Sequence, residues 1–412
     1  MGLLNFKRVG NVGLPRHQSA PVAVDFGASS LKVLQITEEE TPELIAAGCV
    51  PTPENLLANV KRRLDFQFEA LPGLIGSLPL KGRRAICAIP SALTFCKHAQ
   101  LPRQEGMPID VLADAMLTEQ LGRDASTLVR RVIEVPDTDR SAAGKGEYIC
   151  LATGREIVDA LMKSLKAAKL EVVGMHSEFE AALRAFAHLN RREDDKQKAT
   201  LYLDIGCGHT SVTIAHGPTL VFARTIATGG HALDECLAKE LACTVEEARA
   251  SRLAMAELVG VAPARAPAVA AAASGHGPGG GTMVAEDRRA ERPAPGLSPD
   301  LSAIPRQPAA PRGASLREPL EILTDEIGMC VRYHDSIFRG TRVAGIVFVG
   351  GEARHRGLCQ HVARTLRMPA QVADPLARVA RPSGAKAVGL ELSEPQPGWA
   401  VAVGLCQSPT DL

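Results

Sequence analysis

The stretch Asp25-Phe26-Gly27-Ala28-Ser29-Ser30-Leu31-Lys32 joins the β-type run Val22–Phe26 to a second run, Leu31–Ile36, and a third follows at Leu44–Val50. The small residues between the first two suit a tight reversal. The same succession returns in the second half of the chain as Thr200–Ile205, Ser211–Ala215 and Leu220–Ile226. Its turn lies in Asp204-Ile205-Gly206-Cys207-Gly208-His209-Thr210-Ser211. Each copy runs an apolar strand into Asp, a hydrophobic residue, Gly and a small polar turn. A repeat of this kind predicts two similar lobes, each with its own sheet.

The composition agrees. At 412 residues the chain is too long for one compact unit. Apolar residues make up 45% and charged residues 23%, as in an ordinary globular protein. A net charge of +1 and 3% aromatics argue against nucleic acid as a partner. The ten cysteines are scattered from Cys49 to Cys406 without a Cys-x-x-Cys pair, the usage of a reducing compartment, so a cytoplasmic protein is expected. No run of about 18 apolar residues is present to span a bilayer.

Between the repeats, α- and β-type segments alternate: a helix over Asn55–Ala70, a strand over Arg84–Ile89, an amphipathic helix over Ile109–Leu121, strands over Val129–Val135 and Glu147–Thr153, and a helix over Glu156–Lys169. Asp137–Gly146 reads as an exposed loop. After the second repeat come helices at Leu233–Glu240 and Val245–Leu258, and then an Ala/Pro/Gly-rich stretch, about 261–315, expected to be disordered. Order resumes with a helix over Leu316–Phe338 and a strand, Val343–Val349, running into Gly350-Gly351. The expected layout is a flexible tail (1–20), lobe one (21–190) with an inserted α+β subdomain at about 52–155, and lobe two (198–412) interrupted by the insert.

The turns carry the chemistry. Small residues at a reversal let consecutive N–H groups converge on an anion, with the Ser29 and Ser30 hydroxyls as further donors. Lys32 is placed to reach a phosphate, and Asp25 and Asp204 to hold water on Mg²⁺. Either turn alone is an ordinary hairpin. Two of them in order with Val349-Gly350-Gly351, where paired glycines admit a flat ring close to the backbone, form a specific triple. Neither a Walker-type loop nor a complete dinucleotide fingerprint is present.

The three motifs resemble the phosphate and adenosine motifs of the actin/chaperone/sugar-kinase superfamily. DFGASSLKVLQI, CAIPSALTFCKHAQLPR and LVFARTIATGGHALDECLAKEL are most similar to the PilM family of type IV pilus assembly proteins and related competence proteins. The resemblance implies an actin-like (ribonuclease H-like) duplicated fold, with two lobes around a nucleotide cleft that takes ATP and Mg²⁺. It places Asp25, Gly27, Ser29, Ser30 and Lys32 on the phosphates from lobe one. Asp204, Gly206, Gly208 and Thr210 grip from lobe two, with Gly229 and Gly230 nearby. Gly350 and Gly351 back the adenosine, and Arg252 and Glu326 fall at base-contacting positions. Glu178 matches an acidic position that orients water, so at most slow ATP hydrolysis is implied. His209 replaces a small hydroxylic residue of the pattern, and His176 an Asp.

The resemblance also implies a scaffold beneath the inner membrane that docks the amino-terminal peptide of a PilN-like membrane protein and stands near the pilus ATPases. A small-molecule kinase of the same superfamily is the alternative, although no substrate-pocket Asp is evident. An FtsA-like filament protein is a third reading. The end after Gly404, Leu-Cys-Gln-Ser-Pro-Thr-Asp-Leu, forms no amphipathic membrane helix and argues against it.

Overall fold

A computed structural model of the chain describes residues 19–103, 106–136, 144–189, 198–255 and 316–410. The expected tail (apart from residues 19 and 20), the loop tip at 137–143 and the 261–315 insert lie outside the described residues.

Lobe one opens with an antiparallel meander of β1 (Val22–Phe26), β2 (Ser30–Ile36) and β3 (Leu44–Pro51). Every residue of β1 is buried, as befits a central strand covered on both faces. Helix α1 (Val60–Ser77) follows, capped by the Asn59 side chain, which accepts from the Arg62 amide. The sequence reading placed this helix at 55–70, ending short of Pro72. Instead a single 3-10 turn occupies Glu54–Leu56, and α1 continues through Pro72. Buried Leu74 and Ile75 beyond the proline, with Leu71 just before it, hold it against the sheet. Gly48 of β3 makes room, since a Cβ there would lie 2.7 Å from Leu74 Cδ1.

Strand β4 (Arg84–Ile89) pairs parallel with β1. From its end the chain leaves into a small sheet through β5 (Phe95–Pro102), α2 (Ile109–Leu121), β6 (Leu128–Val135) and β7 (Lys145–Gly154), in the order β5-β7-β6. It returns by α3 (Arg155–Ala167) to β8 (Glu171–Ser177), parallel to β4, and then to α4 (Glu178–Arg184). The inserted subdomain is therefore the sheet at 95–154. The expected start near 52 is corrected, because α1 and β4 belong to lobe one itself.

Lobe two repeats the plan. Strands β9 (Ala199–Ile205), β10 (Thr210–His216) and β11 (Thr219–Ile226) form the meander. Helices α5 (Gly230–Leu241), α6 (Val245–Ala254) and α7 (Arg317–Ile337) lead to β12 (Val343–Val349), parallel to β9 as β4 is to β1. Helix α8 (Arg356–Leu366) and β13 (Ala370–Val372) close this sheet.

The chain then goes back to lobe one. Strand β14 (Lys386–Val388) pairs with β3, and the fully buried α9 (Ala400–Cys406) packs on α4 and on β1, β2 and β4. Lobe two thus does not extend to 412. An all-apolar helix is buried only where a sheet face is open to receive it, and that face belongs to lobe one.

The inserted subdomain also touches lobe two. The Ala223 amide donates to His98 Nε2 at 3.2 Å, and His98 stacks on Phe222 with ring centroids 4.6 Å apart. Burial lowers the His98 pKa to about 4, leaving the ring neutral and able to accept that bond.

Candidate functional site

The strand registers position the two turns. Across β1 and β2, Asp25 faces Lys32, and Lys32 Nζ lies 3.0 Å from Asp25 Oδ2. Across β9 and β10, Asp204 faces Ser211, and in the parallel pair β9–β12 it faces Val349, one residue before Gly350. Gly350 has φ +91°, and a Cβ there would stand 2.4 Å from Asp204 Oδ1. No other residue type fits this position without a shift.

The first turn is braced from behind by α1. Gln67, fully buried, donates to the Gly27 carbonyl at 2.8 Å and to Thr52 Oγ1 at 3.0 Å, while the Thr52 amide donates to the Ser29 carbonyl. The second turn is closed by the Gly206 amide on the His209 carbonyl at 2.9 Å and held by α5, whose Gly230 and His231 amides donate to the Gly206 and Cys207 carbonyls. Gly229 permits that approach, since its Cβ would lie 2.5 Å from the Cys207 carbonyl oxygen. At the tip, Gly208 faces Ala28 across the lobes, where a Cβ would be 3.7 Å from the Ala28 Cβ.

Between the turns lies a cleft lined by Asp25, Gly27, Ser29, Lys32, Glu178, Asp204, Gly206, Gly350 and Gly351, together with Ala28, Cys207, His209, Gly398 and Val401, around a cavity of about 50 Å³. Ser30 lines an adjoining cavity of about 210 Å³, next to Lys32, Gly351 and Trp399.

Other expected contacts are placed elsewhere. Thr210 is fully buried, and its hydroxyl donates to the Thr228 carbonyl at 2.8 Å, bracing the turn from inside. Gly229 and Gly230 lie behind the turn rather than in the cleft. Arg252 is fully buried, with Nε 2.6 Å from Asp234 and Nη1 2.8 Å from Glu352, so it ties α6 to α5 and to the turn after β12. Glu326 pairs with Arg224 of β11, away from the cleft lining. The half-buried cation beside the second turn is Arg249, 3.9 Å from Cys207 Sγ and 3.6 Å from Glu54 of lobe one.

Three carboxyl groups, a lysine and a histidine meet in the cleft. Burial raises Asp25 against the pull of Lys32, and burial raises Asp204 to about 6, helped by the Glu178 charge. Burial acts on Glu178 in the same direction. There it is outweighed by His209, 3.8 Å away, and by two hydrogen bonds from Ser91, which hold Glu178 below the usual range. His209 is raised in turn, because the Glu178 charge overrides its burial. Gln67, Ser91, Gly398 and Val401 belong to this site and are absent from the sequence reading. Gln67 alone left a signal, as a polar residue that shares a helix face with Leu64, Leu71, Leu74 and Ile75, beside Arg63.

A family model described as type IV pilus assembly protein PilM matches residues 23–256, more than half of the chain. The chain belongs to the PilM family. A solved structure titled PilM-PilN type IV pilus biogenesis complex is 18% identical, with a TM-score of 0.66, and the match covers 95% of this chain and 98% of that one. At that identity the likeness shows an actin-like fold for this PilM-family chain. Weaker likenesses include the ethanolamine utilization protein EutJ from Carboxydothermus hydrogenoformans (15% identity, TM-score 0.46, covering 95% and 90%). Another is MreB 5 of Spiroplasma citri bound to AMPPNP (12% identity, TM-score 0.44, covering 95% of each chain). No curated protein matches the sequence. Among the described residues no helix is long and apolar enough to cross a membrane.

Proposed function

We propose that this PilM-family chain is a nucleotide-binding assembly scaffold of a type IV pilus, which holds MgATP between its two turns and docks the amino-terminal segment of a PilN-like inner-membrane protein. The observation that carries the reading is the convergence of Asp25–Lys32 and Asp204–Gly350 from opposite lobes on one cleft.

The residues fit the ligand. Gly27, Ser29 and Gly206 offer a backbone free of side-chain bulk for phosphate oxygens, and Lys32 supplies the cation. Asp25 and Asp204, both raised by burial, form a carboxylate pair that a hydrated Mg²⁺ would relieve. Once bound, that ion neutralises phosphate charge. Gly350 and Gly351 give the adenosine side a flat approach. Both turns line this one cleft, so a nucleotide held there touches both lobes. Nucleotide therefore acts on the lobe interface, which the inserted subdomain also touches through His98 and Ala223. That linkage supports a partner site on the subdomain whose affinity follows nucleotide, with membrane attachment supplied by the partner and pilus ATPases as further neighbours. Glu178 is tied to Ser91, and the scaffold role requires no turnover.

Thermal unfolding with MgATP tests the reading. Saturation about a hundredfold above Kd stabilises a protein by about 2.7 kcal/mol. The wild type is expected to shift upward and Asp204→Ala to lose the shift. Equal shifts in both would remove the second turn from the site. A PilN-type amino-terminal peptide is expected to be retained by the chain in a manner that depends on ATP.

A further inference from the structure

Ser91 Oγ is a buried meeting point of both lobes. Glu178 Oε2 takes two bonds from this one residue, from its amide at 2.9 Å and its hydroxyl at 2.5 Å. An ionised carboxylate only accepts, so the single Ser91 hydroxyl proton is committed to Glu178 and its oxygen is left to accept. His209 Nε2, at 2.7 Å, must therefore be the N–H donor, and Ser211 Oγ, at 3.0 Å, donates beside it. Hydroxyl bookkeeping thus assigns the proton on His209 Nε2.

The position of that proton matters. The cleft is lined by one basic side chain from each lobe, Lys32 from lobe one and His209 from lobe two. Lys32 is engaged by Asp25 on the floor of the first turn. His209 Nε2 donates to the neutral Ser91 hydroxyl, with the Glu178 carboxylate farther off at 3.8 Å, and that hydroxyl is a weaker acceptor than a phosphate oxygen. A group bearing additional negative charge between the turns outcompetes Ser91 for it.

We propose that His209 is the residue by which this cleft tells a nucleoside triphosphate from a diphosphate, its Nε2–H passing from Ser91 to the terminal phosphate. The proposal rests on the nucleotide reading given above. A diphosphate leaves His209 latched on the Ser91–Glu178 pair. A triphosphate draws it off, and the contact between lobes then runs through the ligand. Ser91 is a positioning residue that competes with the ligand, and His209 is the contact itself.

Calorimetric titration of the full chain with MgATP and with MgADP separates the possibilities. His209→Asn, whose amide is too short to span the gap, is expected to weaken MgATP about tenfold, the loss of one charge-assisted hydrogen bond, while changing MgADP less than twofold. His209→Gln, with a longer donor, is expected to restore most of the difference. Ser91→Ala is expected to keep the triphosphate preference and to bind MgATP more tightly, because the competing acceptor is gone. Equal weakening of both nucleotides by His209→Asn overturns the assignment and leaves the nucleotide site standing. Loss of the preference in Ser91→Ala does the same, and it decides the question should His209→Asn fail to fold. Failure of the wild type to bind either nucleotide overturns both the assignment and the reading beneath it.

Discussion

Asp204 shows how one side chain of the cleft sets the pH dependence of stability. Burial lifts its pKa from 3.8 to about 6, so the folded protein holds this proton where the unfolded chain releases it. The stability that Asp204 lends is complete below its unfolded value and is lost as pH rises through about 6. Above that the buried charge opposes folding. Its side chain keeps a partly exposed face on the cleft, which limits the effect to about 1–2 kcal/mol. Asp204→Asn is accordingly expected to raise the ligand-free unfolding temperature by a few degrees at about pH 8 and hardly at all at about pH 4, as scanning calorimetry would show. Arg252 teaches the opposite lesson. Resemblance placed it at the base, yet its guanidinium is sealed between Asp234 and Glu352. Its neighbours in sequence do not disclose that, because both partners come from other elements.

At the scale of elements, the turn-bearing strands were legible because a strand, a reversal and a strand are contiguous. The apolar runs put β1, β2, β9, β10 and β12 within a residue or two of their observed bounds, and with them the aspartates and Gly350. Helix α1 was misplaced because its ends are decided by Asn59 capping and by sheet contacts beyond Pro72. Its role behind the first turn, through Gln67, was invisible for the same reason. Helix α9 lies close on α4, where a Cβ on Gly404 would be 1.7 Å from the Ala181 carbonyl oxygen. Helix α9 cannot retreat, since it is packed on β1, β2 and β4. Gly404→Ala is expected to destabilise the fold by about 1–3 kcal/mol, measured by urea unfolding, and to lower MgATP affinity, because Val401 of the same helix lines the cleft.

For the whole molecule, the described core is continuous on both sides of residues 256–315: Met255 packs against the same cluster to which buried Leu316 belongs. Replacing 257–314 by a short Gly/Ser linker is expected to leave the MgATP-dependent thermal shift unchanged. A lost shift would make this segment part of the nucleotide response. Duplication into two lobes, the two Asp-x-Gly turns and the glycines after β12 were all readable from the residues, because periodicity and turn chemistry act between neighbours a few positions apart. Placing α9 and β14 on lobe one, burying Thr210 and Arg252, and bringing Ser91 and Glu178 against His209 were not. Those outcomes depend on which surfaces are left open when distant segments meet, and on which charge then lies within reach of which proton. The cleft of this PilM-family chain is therefore written twice, its two turns in adjacent residues and the lock between them only where the lobes touch.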